Sequence, residues 1–245
     1  MKKDHFLGKS VREHLAEEQV KSFSSGWDGT SVLGGKNAFF EALRDTVLVM
    51  GAFYYLLGTL SPTPSQLFAA FLSFGGFFSL WRGFRTAIQA WTYLKKVHRI
   101  AYEERCEILA NREQEREELV ALYSDKGFSG SLLDKVVDVL MADHERLLQV
   151  MLQEELGLKL ISIDHPLHTA VWAFFGSLAS VFLSWGVLIF VGPHVSWVFL
   201  SLLAGVASSF LSYKERNIRI RAFVWATGAS AVAFQALFFL LEISQ

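Results

Sequence analysis

Apolar residues fall in five long runs, at 38–60, 66–94, 167–191, 195–213 and 222–241, separated by short polar breaks and one long polar block. A helix needs roughly 20 apolar residues to cross the hydrocarbon core of a bilayer, and each run approaches that length. The pattern predicts an all-α, polytopic membrane protein with five transmembrane helices. The break between the first two runs reads SPTPS, and the break between the third and fourth reads GPH. Both are too short for a folded loop, so each pair is expected to form a tight helical hairpin.

From residue 95 the composition becomes that of a soluble segment and returns to apolar near Leu167. The block includes YEERCEILANREQEREELVALYSDKG and SGSLLDKVVDVLMADHERLLQVMLQEELGL. Gly127 and the following Ser129-Gly130-Ser131 supply a stop and a new helix start, so two or three helices are expected. Residues 1–37 are also polar, with an amphipathic pattern around Val11 to Val20 and then a Gly/Ser-rich linker. They lack the apolar core of a signal peptide and read as a cytoplasmic leader. The expected organisation is leader 1–37, transmembrane hairpin 38–94, helical insert 95–166 and transmembrane helices three to five over 167–245.

Charge placement sets the orientation, because cytoplasmic loops are enriched in Lys and Arg. The leader carries Lys2, Lys3, Lys9, Arg12, Lys21 and Lys36, the insert carries many more, and the fourth-to-fifth loop reads KERNIRIR. The two short turns and the terminal EISQ carry none. This places the N-terminus and the insert in the cytoplasm and the C-terminus on the opposite side. Composition agrees: 22 Phe and 7 Trp in 245 residues, with a mean hydropathy of +0.31, are too apolar for an ordinary soluble domain. The single Cys106 excludes an internal disulfide framework. A net charge of −1 makes no case for a nucleic-acid partner. No nucleotide-binding loop, nucleophile–base pair or Cys-rich metal motif is present, so no enzyme is expected.

Ionisable groups inside spans are costly and point to function with a named partner. Arg82 and Arg85 lie in the cytoplasmic half of the second run, and Asp45 about two turns into the first. The arginines either snorkel toward the headgroups or pair with Asp45. Small residues in the fourth and fifth runs, among them Ala204, Gly205, Ala207, Gly228 and Ala229, suit close helix packing.

Within the insert, at about 100° per residue, Glu104, Glu107, Asn111, Glu115 and Glu118 share roughly an 80° arc if the helix is continuous. Ile108, Leu119 and Leu122 lie beside or within that arc, so the carboxylates border an apolar surface. One reading is a solvated helix supported by pairs one turn apart, Arg112 with Glu115 and Glu113 with Arg116. The other is metal binding. On the next helix His144, Leu148, Met151 and Glu155 fall on one face, aligning imidazole, thioether and carboxylate. Carboxylate and imidazole suit Fe²⁺, Mn²⁺ and Zn²⁺, while a thioether favours softer metals.

The run EREELVALYSDKGFSGSLLDKVVDVLMADHERLLQVMLQEELGL resembles the insert of the vacuolar iron transporter family, with its paired glutamates, a glycine turn and a Met-containing helix ending in ELGL. The resemblance is good from about Tyr102 to Leu158 and weak in the leader and most of the spans. It implies a homodimeric exporter of Fe²⁺, or of related ions such as Mn²⁺ or Zn²⁺, out of the cytosol in exchange for protons. Carried over by position, it implies metal ligands at Glu104, Glu107, Glu115, Glu118, Met151 and Glu155. The membrane part departs from the family pattern. Asp45 matches the earlier of two first-span aspartates, while the pore Asp-Gly becomes Ala52-Phe53. The second-span methionine falls near Leu80 to Arg82, where no Met exists, and Arg82 and Arg85 would repel a cation. The alternative is therefore a membrane-anchored metal-binding or sensing protein without transport. A ferritin-like oxidase would need Glu-x-x-His pairs on facing helices, which the insert lacks. A structural protein whose acidic helices dock a partner is the remaining option.

Overall fold

The structure is a computed structural model and describes residues 34–154, 165–211 and 216–243. Among them the chain is entirely helical: α1 (Gly35–Gly58), α2 (Pro64–Ala110), α3 (Arg112–Asp125), α4 (Gly130–Met141), α5 (His144–Glu154), α6 (Pro166–Val191), α7 (Pro193–Leu211) and α8 (Arg216–Ile243). These divide into two compact units. One comprises α1, α2 as far as Trp91, and α6 to α8; the other comprises the rest of α2 with α3, α4 and α5.

In the first unit α1 is the helix against which the others pack. It buries Ala38, Ala42, Leu43, Thr46, Val47, Met50 and Gly51, positions recurring every three to four residues and so forming one continuous stripe. The facing stripe of α6 is built from small and hydroxylic residues: Thr169, Ala173, Gly176, Ser177, Ser180, Val181 and Ser184. Small side chains let backbones approach closely, which is how helices associate where solvent supplies no hydrophobic drive. The approach is tightest at Gly176, where an added Cβ would collide with the backbone of Phe39. Thr46 and Ser177 join the two helices through their buried hydroxyls at 2.8 Å.

The remaining helices close round this pair. Leu43 and Val47 share a buried cluster with Leu200, Ala204, Ala207 of α7 and Phe234 of α8. Met50 shares another with Phe71 of α2 and Val181 and Leu188 of α6. Phe53 stacks on Phe74 at 4.1 Å, and Phe71 meets Trp185 at 4.9 Å between ring centroids. At Gly205 the α7 backbone lies against Thr227 and Phe223 of α8, which bears out the packing role expected for that glycine.

Outward faces carry large apolar side chains: Phe84, Phe190 and Trp225 are 71%, 89% and 77% exposed. No aqueous surface accommodates such a belt, and lipid does. Among the described residues, three helices are long and apolar enough to cross a membrane: α2, α6 and residues Ile218–Leu241 of α8. The apolar part of α7, Val195–Leu211, is shorter. α1 is long enough at 24 residues, but no 18-residue stretch of it escapes Glu41, Arg44 and Asp45.

Helix boundaries follow local chemistry. Pro166 occupies the first turn of α6, and His165 caps it, its Nδ1 accepting from the Leu167 N–H at 3.2 Å. Gly192 alone separates α6 from α7. One expectation is corrected. The basic RNIRIR run, expected as a loop, forms the first turns of α8; it contains no Gly or Pro to stop a helix, and arginine is a good helix former. Lys214 and Glu215 of that loop lie outside the described residues. The condition on which the glutamate arc rested, one continuous helix from Glu104 to Glu118, is not met: the helix is broken at Asn111 (φ −128°, ψ 41°), a residue whose side chain favours non-helical backbone.

Candidate functional site

In the second unit the break at Asn111 leaves the carboxylate arc split between the end of α2 and the start of α3. The Asn111 carbonyl accepts from the N–H groups of both Gln114 and Glu115, which starts α3 directly. Three arc members turn inward: Glu104 is 8% exposed and Glu115 and Glu118 are each 1% exposed. Glu107 remains exposed. The two-helix arrangement therefore still gathers most of the set that a single helix would have aligned.

What lies under them is apolar. Ile108, Leu119, Val137, Leu147 and Met151 form one buried cluster drawn from all four helices of the unit. Its edge is tied by ion pairs that the sequence reading missed. Arg105 meets Glu145 at 2.6 Å, Arg116 meets Asp138 at 2.8 Å and Lys126 meets Glu154 at 2.5 Å. Arg112 donates to the Met141 carbonyl and lies against the His144 ring. Arg105, Arg112 and Arg116 thus reach across to other helices, and for Arg112 and Arg116 this goes beyond the one-turn partners their spacing offered. Exposed pairs of this kind contribute little stability singly. They orient α3, α4 and α5 around the cluster, and no spacing rule along one helix could reveal them.

Burial changes the acidity of this site. The Glu115 carboxyl is pushed up to about 9 from an ordinary 4.5, first by loss of water and then by the nearby carboxylates of Glu118, Glu104 and Glu107. Removing water disfavours the charged form, and neighbouring negative charge compounds it. Among the described residues, Glu115 Oε2 is buried without a hydrogen-bond partner. A cation is one group that would satisfy such an atom. Even so, no three His, Cys, Asp or Glu side chains among the described residues converge tightly enough to hold an ion. The four glutamates form an electrostatic group rather than a finished cage.

The softer candidates separate. Met151 is fully buried in the apolar cluster, whereas His144 is exposed and engaged with Arg112. The imidazole and thioether expected in line do not share one environment: His144 at the start of α5 is exposed, while Leu147 and Met151 carry the buried face. Glu155 lies outside the described residues.

The membrane unit holds a charged cluster of its own. Arg82 of α2 is 4% exposed, with Nη1 at 3.4 Å from Asp45 Oδ2 and Nη2 at 3.8 Å from Glu41 Oε1. Asp45 also receives Arg44 at 2.9 Å. Of the two arginines, Arg82 is the paired one; Arg85 is exposed. Glu41 was not foreseen, although its place one turn before Asp45 puts both carboxylates on the same face.

A family model described as the VIT family matches residues 93–238. The chain belongs to the VIT family. This is the vacuolar iron transporter family that the insert resembles, and the match takes in α3 to α7 and most of α8. No curated protein matches the chain. As a VIT-family protein with a lipid-facing apolar surface, it is an integral membrane protein. Its general class of activity is metal ion transport, with a metal ion as cargo.

Proposed function

We propose that this VIT-family protein moves a divalent metal ion, iron or manganese, out of the cytosol in exchange for protons, and that the insert is where the ion is first captured. In this reading α1, α2, α6, α7 and α8 are five spans. The leader 1–37 and insert 95–166 face the cytoplasm, the C-terminus lies on the other side, and the unit of function is a homodimer. Glu104, Glu107, Glu115, Glu118, Met151 and Glu155 supply the ligands. The observation that carries it is the buried Glu115–Glu118 pair, where a divalent cation would take the place of the proton that Glu115 holds and let both carboxylates ionise. Fe²⁺ and Mn²⁺ suit carboxylate oxygens, and Zn²⁺ is a further cargo to compare.

The test pairs two measurements on one preparation: Fe²⁺, Mn²⁺ and Zn²⁺ flux in proteoliposomes and equilibrium binding of the same ions. Glu115→Ala combined with Glu118→Ala should weaken binding. Folded protein that binds metal but shows no flux would overturn transport. It would leave the second reading, a membrane-anchored metal-binding or sensing protein, which the buried Arg82 between Glu41 and Asp45 favours. Unchanged binding in the double variant would remove the insert site from either reading.

A further inference from the structure

The membrane cluster has a geometry that a simple structural tie does not require. Two carboxylates one turn apart on α1 converge on a single guanidinium from α2. The guanidinium is almost wholly removed from solvent and lipid, so it is not snorkelling. Its contacts at 3.4 and 3.8 Å are loose for a guanidinium that can grip a carboxylate through two parallel bonds. Among the described residues its buried Nε has no hydrogen-bond partner. Arg82 is therefore held by charge more than by directed bonds, in the position of a cation between two acids.

We infer that Arg82 is a tethered cation occupying, on behalf of the protein itself, a place where Glu41 and Asp45 would otherwise accept a free divalent ion. The contact is autoinhibitory: while Arg82 is seated it offsets one of the pair's two negative charges, Arg44 on Asp45 offsets the other, and an incoming ion must displace the Arg82 guanidinium. Burial makes the arrangement consequential. The buried charge is the guanidinium, which needs acidic partners to stay in low dielectric, while Glu41 and Asp45 are each 29% exposed and Asp45 also holds Arg44 at 2.9 Å, so the acids remain within reach of an incoming ion. Arginine cannot lose its charge at accessible pH, so the lock is released by competition rather than by deprotonation. Nothing in this inference requires the insert to bind metal.

The experiment uses the full chain in detergent with Glu115→Gln and Glu118→Gln in place, to silence the insert, and Mn²⁺ as the probe. Into this parent go Arg82→Met, Arg82→Lys, and Arg82→Met with Asp45→Asn. Arg82→Met should bind Mn²⁺ at least about tenfold more tightly than the parent. At about a hundredfold excess over Kd its Tm should rise by roughly 5 °C. Asp45→Asn should abolish the gain. Arg82→Lys keeps a cation but only a point charge, and should show a smaller shift in the same direction. A folded Arg82→Met or Arg82→Lys that is as indifferent to Mn²⁺ as the parent overturns the inference. So does a gain that survives Asp45→Asn. If neither Arg82 variant folds, Arg82 is a structural strut and the inference fails as well.

Discussion

Glu115 and Glu118 stand three residues apart on α3, each 1% exposed, on the same side of the helix as the fully buried Leu119. Two carboxyl groups in that position cannot both carry charge cheaply, and Glu115 resolves the conflict by keeping its proton to about pH 9. In the unfolded chain the same group titrates near 4.5. Between those values the native state holds a proton that the unfolded state has lost, so stability falls as pH rises through this window and levels off above it. The expected outcome is a higher Tm at pH 5.5 than at pH 8.5 in the absence of metal. Glu115→Gln should flatten that slope and raise Tm near pH 8. Thermal unfolding of the full chain across this range is the check, and an unchanged slope in the variant would rule Glu115 out as its source.

Met151 carries two separable roles, core residue and thioether donor. Met151→Ala should cost about 2–5 kcal/mol through the cavity it opens. Met151→Leu conserves volume and should cost under about 1.5 kcal/mol. If the sulfur binds metal, the leucine variant will keep its Tm and lose metal affinity. Equal affinity in Met151→Leu and the parent would reduce Met151 to a packing residue.

Gly176 has no room for even a methyl group, since a Cβ there meets the Phe39 backbone rather than a movable side chain. Gly176→Ala is expected to cost about 1–3 kcal/mol and to lower Tm in detergent. Gly186→Ala on the same helix, where nothing lies within 4 Å, serves as the control and should be neutral or slightly stabilising. Equal Tm values for the two variants would contradict the close α1–α6 approach.

The Thr46–Ser177 hydroxyl contact should show a coupling of about 0.6 kcal/mol, the typical value for hydrogen bonds between membrane helices. A double-mutant cycle with Thr46→Ala and Ser177→Ala measures it. Zero coupling would mean that the two hydroxyls bond elsewhere.

The helices of the membrane unit were legible because apolar runs and their punctuation mark them: the run at 167–191 reappears as Pro166–Val191, bounded by His165-Pro166 and Gly192. The Gly127 stop was legible too, since its φ of 93° is one that glycine alone adopts readily. Asn111 was not, because one polar residue in a charged helix has no periodicity to disturb. The inter-helix ties of Arg105, Arg112 and Arg116 were hidden for a different reason. Helical spacing identifies neighbours on one helix, and these arginines choose partners 22 to 40 residues away. The acidic arc was read correctly as bordering an apolar surface, but which glutamates turn inward is decided by α4 and α5, whose approach the spacing of α3 does not contain.

Three of the four charges in α1, those beyond the first-turn Lys36, bear on how the protein is made. Asp, Lys or Arg near the middle of an inserting helix adds about 2.5–3.5 kcal/mol to its transfer from the translocon into lipid. With Glu41, Arg44 and Asp45 together, α1 is a poor candidate for leaving the translocon alone. Only Leu60 and the short SPT turn, after the closing Thr59, separate it from α2, which brings Arg82 to the exposed acids. Taken as a span, α1 would therefore wait at the exit for its neighbour, and the two would partition as a hairpin whose charges are already matched. A truncation ending before Arg82 should then leave the first segment un-integrated during synthesis, a biogenesis defect visible before any ion is offered.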